Sequence, residues 1–446
     1  MQTSTIPGQR QTSRGQSIVE PTCRVPRRVV AATVAGNALE FYDFVTYAFF
    51  AVYIGKAFFP AATAVGSLLL SVAVFGVGFV SRPLGGILIG AYADRAGRKP
   101  AMLLTIALIT VGTLGLALTP SYSSIGAAAP VIVVVCRLVQ GLALGGEVGP
   151  SSAFLIEVSP ANQRGLYGSW QLASQGIASL VAGGLGMLLT GTLDQADLQA
   201  WGWRIPFAFG LLLIPIALYL RQSMPETLEP GARAGAQAAS SASVATTKVR
   251  LRDHRRLLSL AILTVLGGTV STYVSNYMTT YAITTLKFAP TIAMSATLVV
   301  GFTTLVFALA GGWLSDRYGR KPVMLVPRVL SALLVYPAFM FLTGQRTTAA
   351  LLGVTALLAA LNAMSSAASL VTIPELLPRS IRAVGMSIAY AVGVALFGGT
   401  TQFVVTWLIA ATGNPAAPAW YVAGTSIVCA LAMFALPEGR HRVLGR

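Results

Sequence analysis

Twelve apolar stretches of 18 or more residues fill most of this chain, and each is long enough to cross about 30 Å of hydrocarbon as an α-helix. They run over roughly 29–54, 64–92, 100–119, 127–156, 165–192, 204–222, 258–286, 291–315, 322–343, 348–373, 381–411 and 417–436. Hydrophobic residues make up 55% of the sequence and charged residues 10%, which excludes an ordinary soluble globular domain. The expected fold class is all-α integral membrane, with twelve transmembrane helices in two six-helix halves.

The halves follow from a repeat. Asp94-Arg95-Ala96-Gly97-Arg98-Lys99-Pro100 recurs as Asp316-Arg317-Tyr318-Gly319-Arg320-Lys321-Pro322, each copy joining the second and third helices of its half. Glu157, followed seven residues on by Arg164, is echoed by Glu375 and Arg382 at nearly the same offset. Two echoes at one spacing indicate internal duplication. The chain divides into a polar tail (1–28), a first half (29–223), a linker rich in Ala, Ser and Thr (224–256), a second half (257–437) and a short tail (438–446).

The net charge of +17 arises from 31 Lys and Arg against 14 Asp and Glu. Most cations sit in the tails, the linker and alternate loops, so they set orientation and do not signal nucleic-acid binding. Under the positive-inside rule both termini and the linker face the cytoplasm of a plasma membrane, which an even number of spans permits. Residues 1–28 lack the apolar core of a signal peptide.

Charged residues inside the spans are the candidates for function, because a charge in hydrocarbon is costly and normally faces a wet cavity or a partner. Helix 1 carries Glu40 and Asp43, three residues apart and on one face. They either couple to protons or substrate, or form a structural ion pair. Arg82 in helix 2 either binds an anion or pairs with an acid. Helix 4 contains Arg137 and Gln140 on one face, then Glu147, with Gly141, Gly145 and Gly149 as a stripe for close helix contact. The fork of Arg137 suits a carboxylate; the alternative is a structural lock to Asp43 or Glu40. Glu147 serves either proton passage or helix pairing. Gln171 and Gln175 in helix 5, and Asn276 and Tyr281 in helix 7, offer neutral hydrogen-bonding groups, for a polar solute or for helix packing. Arg328 in helix 9 lies close enough to Lys321 to snorkel to the basic surface. In the repeated loops, Gly97 and Gly319 permit tight turns, while Asp94, Arg95 and Arg98, with Asp316, Arg317 and Arg320, form ion pairs or helix-end contacts. These are gating elements.

Other chemistries lack their residues. There is no Gly-rich phosphate loop, and the two histidines, His254 and His441, and three cysteines, Cys23, Cys136 and Cys429, form no metal or catalytic motif. Neither an enzyme nor a metal or organic cofactor is expected. An ion gradient remains as the energy source.

The repeated loop motif and the twelve-helix plan resemble the major facilitator superfamily. Gly36-Asn37, Glu40 and Asp43, Arg82-Pro83, Arg137 with Gln140-Gly141, Gly145-Gly146-Glu147, Gly202-Trp203-Arg204-Ile205-Pro206-Phe207 and Phe397-Gly398-Gly399 resemble its metabolite:proton symporter branch. Phe58-Phe59-Pro60-Ala61, Gly90-Ala91-Tyr92, Gly168-Ser169-Trp170-Gln171 and Leu220-Arg221-Gln222-Ser223 are similar to bacterial citrate:proton symporters; Gly145-Gly146-Glu147 and Ser275-Asn276-Tyr277-Met278-Thr279 depart from them. The resemblance implies proton-coupled import of a small organic acid such as citrate by a monomer in the bacterial inner membrane. Arg137, Gln140, Gln171, Gln175, Asn276 and Tyr281 would shape its substrate site, and Glu40, Asp43 and Glu147 its proton path. Symport of a zwitterionic osmolyte, of shikimate or of 2-oxoglutarate, and a transporter-like solute sensor, are the alternatives.

Overall fold

The structure is a computed structural model and describes residues 27–96, 98–145, 155, 159–160, 162–222, 254–377 and 382–437. Among the described residues a helix answers to each of the twelve expected spans. In the first half, α1 comprises Arg27–Phe49 and, past a break at Phe50, Ala51–Phe58. The next, α2, is Ala64–Val80 continued by Arg82–Ala96. Then come α3 (Arg98–Leu118), α4 (Ala128–Gly145), α5 (Arg164–Thr192) and α6 (Ile205–Gln222). The second half holds α7 (Arg255–Thr284), α8 (Pro290–Tyr318), α9 (Arg320–Gln345) and α10 (Thr348–Leu376). It closes with α11 and α12. The former runs Arg382–Val392, through a π-helical stretch at Gly393–Gly398, into Gly399–Thr412; the latter is Ala417–Ala435. Most of the linker and both tails lie outside the described residues.

The bundle turns large apolar side chains outward, as lipid demands, and keeps its intramembrane charges inside among apolar clusters. Along α9, for example, Leu333, Tyr336, Met340 and Phe341 are exposed while Arg328 and Ser331 are buried. Arg328 is wholly buried, so it does not snorkel to the surface as the sequence suggested. The Trp203 ring is also buried, edge-to-face with Phe58 at 5.3 Å, and Trp201 alone of that pair is exposed.

Small residues set where helices touch. A Cβ on Gly141 would lie 1.9 Å from the Gly78 carbonyl, and one on Gly145 would lie 1.9 Å from the Arg82 carbonyl. The glycine stripe of α4 therefore presses α2 backbone to backbone, as its spacing predicts. On α2 the matching face is Gly78, Ser81 and Gly85. A Cβ on Gly86 would lie 3.3 Å from the Gly145 carbonyl, whereas one on Gly90 would meet nothing within 4 Å among the described residues. The two halves meet mainly along α5 with α8 and α10, and α2 with α11, with a smaller contact of α1 with α7. Gly176 faces Gly301 and Leu305, and Gly76 faces Gly399, so these contacts are also backbone-close. The π-helical stretch ends at the Gly398–Gly399 pair, and Gly398 packs on Phe79 and Tyr273.

Candidate substrate cavity

A polar cavity lies between the halves, in two adjoining compartments of about 30 and 60 Å³. That is room for a few waters and far below the ~300 Å³ of a small-molecule site. The bundle is thus drawn in around its own polar lining. Gln175 and Ser179 of α5 line the first compartment, facing Thr272 and Asn276 of α7 and Asn362 of α10. Arg82, Gly268, Ser366, Ser369 and Tyr390 line the second, which lies nearer the end of the bundle carrying the repeated loops. Phe41, Tyr273 and Gln175 border both.

Arg82 is the cation at this wall. It is about nine-tenths buried, its guanidinium lies 4.5 Å from the Phe44 ring centre and 4.0 Å from that of Phe79, and its Nε and Nη2 have no hydrogen-bond partner among the described residues. Sequence reasoning left Arg82 open between two roles and did not place Tyr273 or Tyr390 at the site. The aromatic collar was hidden because Tyr273, Tyr277 and Tyr281 recur every four residues, whereas the cavity reaches only the first. Tyr277 meets Thr406 at 2.8 Å, and the Tyr281 hydroxyl donates to the Pro415 carbonyl at 2.7 Å.

The other candidates divide between cavity and interior. Gln175 and Asn276 come together at the cavity. Arg137, Gln140 and Gln171 do not line it. Arg137 is 1% exposed, sits 4.4 Å from the Tyr47 ring centre and donates from Nη1 to Gln140 Oε1 at 2.8 Å. Gln140 in turn donates from Nε2 to Asp43 Oδ2 and, at 3.1 Å, to Thr113 Oγ1. Asp43 Oδ1 has no partner among the described residues. The result is a relay of Arg137, Gln140 and Asp43 inside the first half, with Phe44 and Phe75 packed over the guanidinium at 5.2 and 5.4 Å. Gln171 fastens α5 to α1, donating to Asn37 Oδ1 at 2.9 Å while Asn37 donates back to the Gln171 carbonyl at 3.2 Å and to Ser174 Oγ. Glu40 is buried too, at 5% exposure.

At the loop-bearing end, Asp316 leaves the second half to cap the first. Its Oδ1 accepts from Gly165 N at 2.8 Å and its Oδ2 from Leu166 N at 2.9 Å, satisfying open amides at the start of α5. Arg320 holds Asp316 at 2.8 Å through Nη1 and grips Glu375 through Nε and Nη2, both at 3.1 Å. Gly319, at φ +102°, makes the turn between α8 and α9 in a region open to glycine. Arg317 is exposed and lies 5.7 Å from the Trp313 and Tyr318 ring centres, outside this latch. At the opposite end the Thr291 hydroxyl donates to the Thr190 carbonyl at 3.0 Å, again joining α8 to α5. Gly97, Glu147 and the side chains of Asp94, Arg95 and Arg98 lie outside the described residues. Among the described residues, no cluster of His, Cys, Asp and Glu could hold a metal ion.

The sugar (and other) transporter family matches this chain twice, over residues 29–229 and 230–445. The chain belongs to the major facilitator superfamily. It is 34% identical to a citrate-proton symporter of Klebsiella pneumoniae over 403 residues, covering 90% of each chain. With a citrate-proton symporter of Salmonella typhi it shares 35% over 408 residues, covering 91% of this chain and 93% of that one. An alpha-ketoglutarate permease of Escherichia coli (strain K12) is 32% identical over 402 residues, covering 90% of this chain and 91% of the other. Its fold matches the crystal structure of a D-xylose-proton symporter with a TM-score of 0.77 at 19% identity, covering 94% of this chain and 99% of that chain. The family is one of transporters, and this chain is a twelve-helix member of it.

Proposed function

We propose that this transporter imports a small organic acid, a di- or tricarboxylate of the citrate type, in symport with protons. The observation that carries the reading is Arg82. A buried guanidinium at the wall between the halves, whose Nε and Nη2 have no partner among the described residues, suits a carboxylate in its fork. The relatives named as citrate-proton symporters support both the anion and the coupling ion. Gln175 and Asn276 hydrogen-bond the bound acid from opposite halves. Arg137 and Gln140 act one layer further in, as the group that holds Asp43, while Gln171 and Tyr281 fasten helices.

Asp43 is the proton carrier. Ionised, it offsets Arg137 through Gln140; protonated, it leaves that offset to the incoming anion, so proton and substrate favour each other's binding. Glu40 and Glu147 belong to the same proton path. The two loops, with Asp94, Arg95, Gly97 and Arg98 in one and Asp316, Arg317, Gly319 and Arg320 in the other, form the gate at the basic end. By the positive-inside rule that end faces the cytoplasm of the bacterial inner membrane. Binding of acid and proton lets the halves rock about the central cavity. The protein works as a monomer, driven by the proton gradient.

The aromatic collar of the cavity would also attract a quaternary ammonium group. Here Arg82 already occupies the faces of Phe44 and Phe79, which favours an anion over a zwitterion. The test is uptake of labelled citrate into proteoliposomes under an imposed proton gradient, with 2-oxoglutarate, shikimate and betaine as competitors. Uptake abolished by an uncoupler and blocked by di- and tricarboxylates is expected. Uptake of betaine in preference to any acid, or acid equilibration indifferent to the gradient, would refute it.

A further inference from the structure

Arg328 stands mid-way through the second half and is wholly buried. Neutral oxygens surround it: Nη1 donates to the Gly267 carbonyl at 3.1 Å and to Ser271 Oγ at 2.9 Å, and Nη2 to Asn362 Oδ1 at 3.1 Å and Ser366 Oγ at 3.5 Å. Its Nε has no partner among the described residues. Between residues 254 and 437 the sequence holds only two carboxylates, Asp316 and Glu375, and Arg320 binds both at the loop-bearing end. Arg328 therefore has no counter-charge free to meet it in its own half. A guanidinium kept in hydrocarbon on those terms is expensive, and intramembrane charges of that kind mark ligand sites.

Its partners form the cavity wall. Asn362 lines the first compartment and Ser366 the second, with Gly268 beside it. Gly268 lies between the cavity and Arg328: a Cβ added to it would lie 2.9 Å from Ser366 Oγ and 3.7 Å from Arg328 Nη2. Arg82 borders the same compartment from the first half. One small polar space is thus flanked by two arginines from different halves, one at its wall and one behind a glycine.

We infer that the substrate carries at least two carboxylates and bridges the halves, one carboxylate on Arg82 and another reaching Arg328 past Gly268. The inference rests on the organic-acid reading above and adds where the charges are held, naming Arg328 as the second anchor. An acid with a single carboxylate meets only one arginine and does not tie the halves together. The bridging acid takes over Arg328 Nη2 from Asn362 and Ser366, whose hydroxyl and amide turn to its remaining oxygens.

The test is equilibrium binding to the purified full-length protein, followed by thermal shift, with citrate, 2-oxoglutarate, shikimate and betaine as probes. The wild type should bind citrate or 2-oxoglutarate at least about tenfold more tightly than the two single-carboxylate probes. Arg328→Gln should weaken the better of these acids by about 10- to 100-fold, the loss of a charge-assisted pair, and leave shikimate within about twofold. Gly268→Ala, which keeps every charge and adds one methyl group to the wall, should cause a smaller loss with the same selectivity. Its melting temperature without ligand reports folding, so this variant carries the test if Arg328→Gln does not fold. Wild-type affinity for citrate and 2-oxoglutarate in both variants overturns the inference, as does equal loss for all four probes. A wild type that binds none of the acids overturns the organic-acid reading beneath it.

Discussion

Replacing Asp316 with Asn should spring the latch at the loop-bearing end. The carboxylate now accepts two backbone amides of α5, from Gly165 and Leu166, and one bond from Arg320. An Asn side chain has one acceptor oxygen, so it keeps at most one amide and turns an NH2 toward the other. It also removes the charge that meets Arg320 and the helix end. A charge-assisted hydrogen bond contributes about 1.5–3 kcal/mol, and a charge at a helix end about 0.3–1 kcal/mol. Asp316 is about one-tenth exposed, which puts the sum near the lower end, about 2–3 kcal/mol. That shifts the balance between closed and open states roughly 30- to 150-fold toward opening at this end. The readout is the rate at which Ser366→Cys, on the cavity wall, reacts with an impermeant maleimide supplied from the loop-bearing side. Cys23, Cys136 and Cys429 are replaced beforehand. Labelling should accelerate by a similar factor in Asp316→Asn, and also in Glu375→Gln, which frees Arg320. Arg317→Gln, outside the latch, should leave it unchanged. Equal labelling in Asp316→Asn and the parent would refute the reasoning.

Further outcomes follow from the interior. Asp43→Asn should abolish accumulation driven by the proton gradient while sparing exchange of internal for external substrate; retained gradient-driven accumulation would remove Asp43 from the coupling path. Arg82→Lys keeps the charge but loses the fork, so the uptake KM should rise about tenfold, whereas Arg137→Lys should lower the maximal rate more than it changes KM. Gly145→Val places a side chain where even a single added Cβ would lie 1.9 Å from the Arg82 carbonyl. It should lower the melting temperature or prevent accumulation of folded protein in the membrane, measured by fluorescence-detected size exclusion.

Length and hydropathy made the helices legible, because lipid leaves a chain few choices, and the repeated loop made the two halves legible. The latch could be read in outline from the pairing of Asp316 with cations four positions on, although its partner, the start of α5, is a contact between halves that no local pattern encodes. The site was harder. Sequence depth identifies which charges lie in the membrane, but the direction of a side chain depends on which helix crosses beside it. Arg137 and Arg82 are equally buried cations by sequence. Tyr47 and Phe75 pack over the first, away from the cavity, while the second lies against Phe44 and Phe79 at the cavity wall. Arg328 was misplaced for a related reason: its nearness to Lys321 along α9 suggested a route to the surface, while Ser271, Asn362 and Ser366 on neighbouring helices hold it inward.

The duplicated halves share a backbone plan but not a charge plan. In the first, Gln140 links Asp43 to Arg137, and on the proposed reading a proton on Asp43 leaves the Arg137 charge to be met by the incoming anion. In the second, Asp316 and Glu375 are both taken by Arg320 at the basic end, and nothing in the spans offsets Arg328. A half that can take up a proton and a half that holds a fixed positive charge are both needed for coupling on the proposed reading. The proton makes the first half more receptive to an anion, and the fixed charge gives that anion a reason to span the gap. Two identical halves, each with its own acid and arginine, would be balanced separately and would leave the substrate nothing to join.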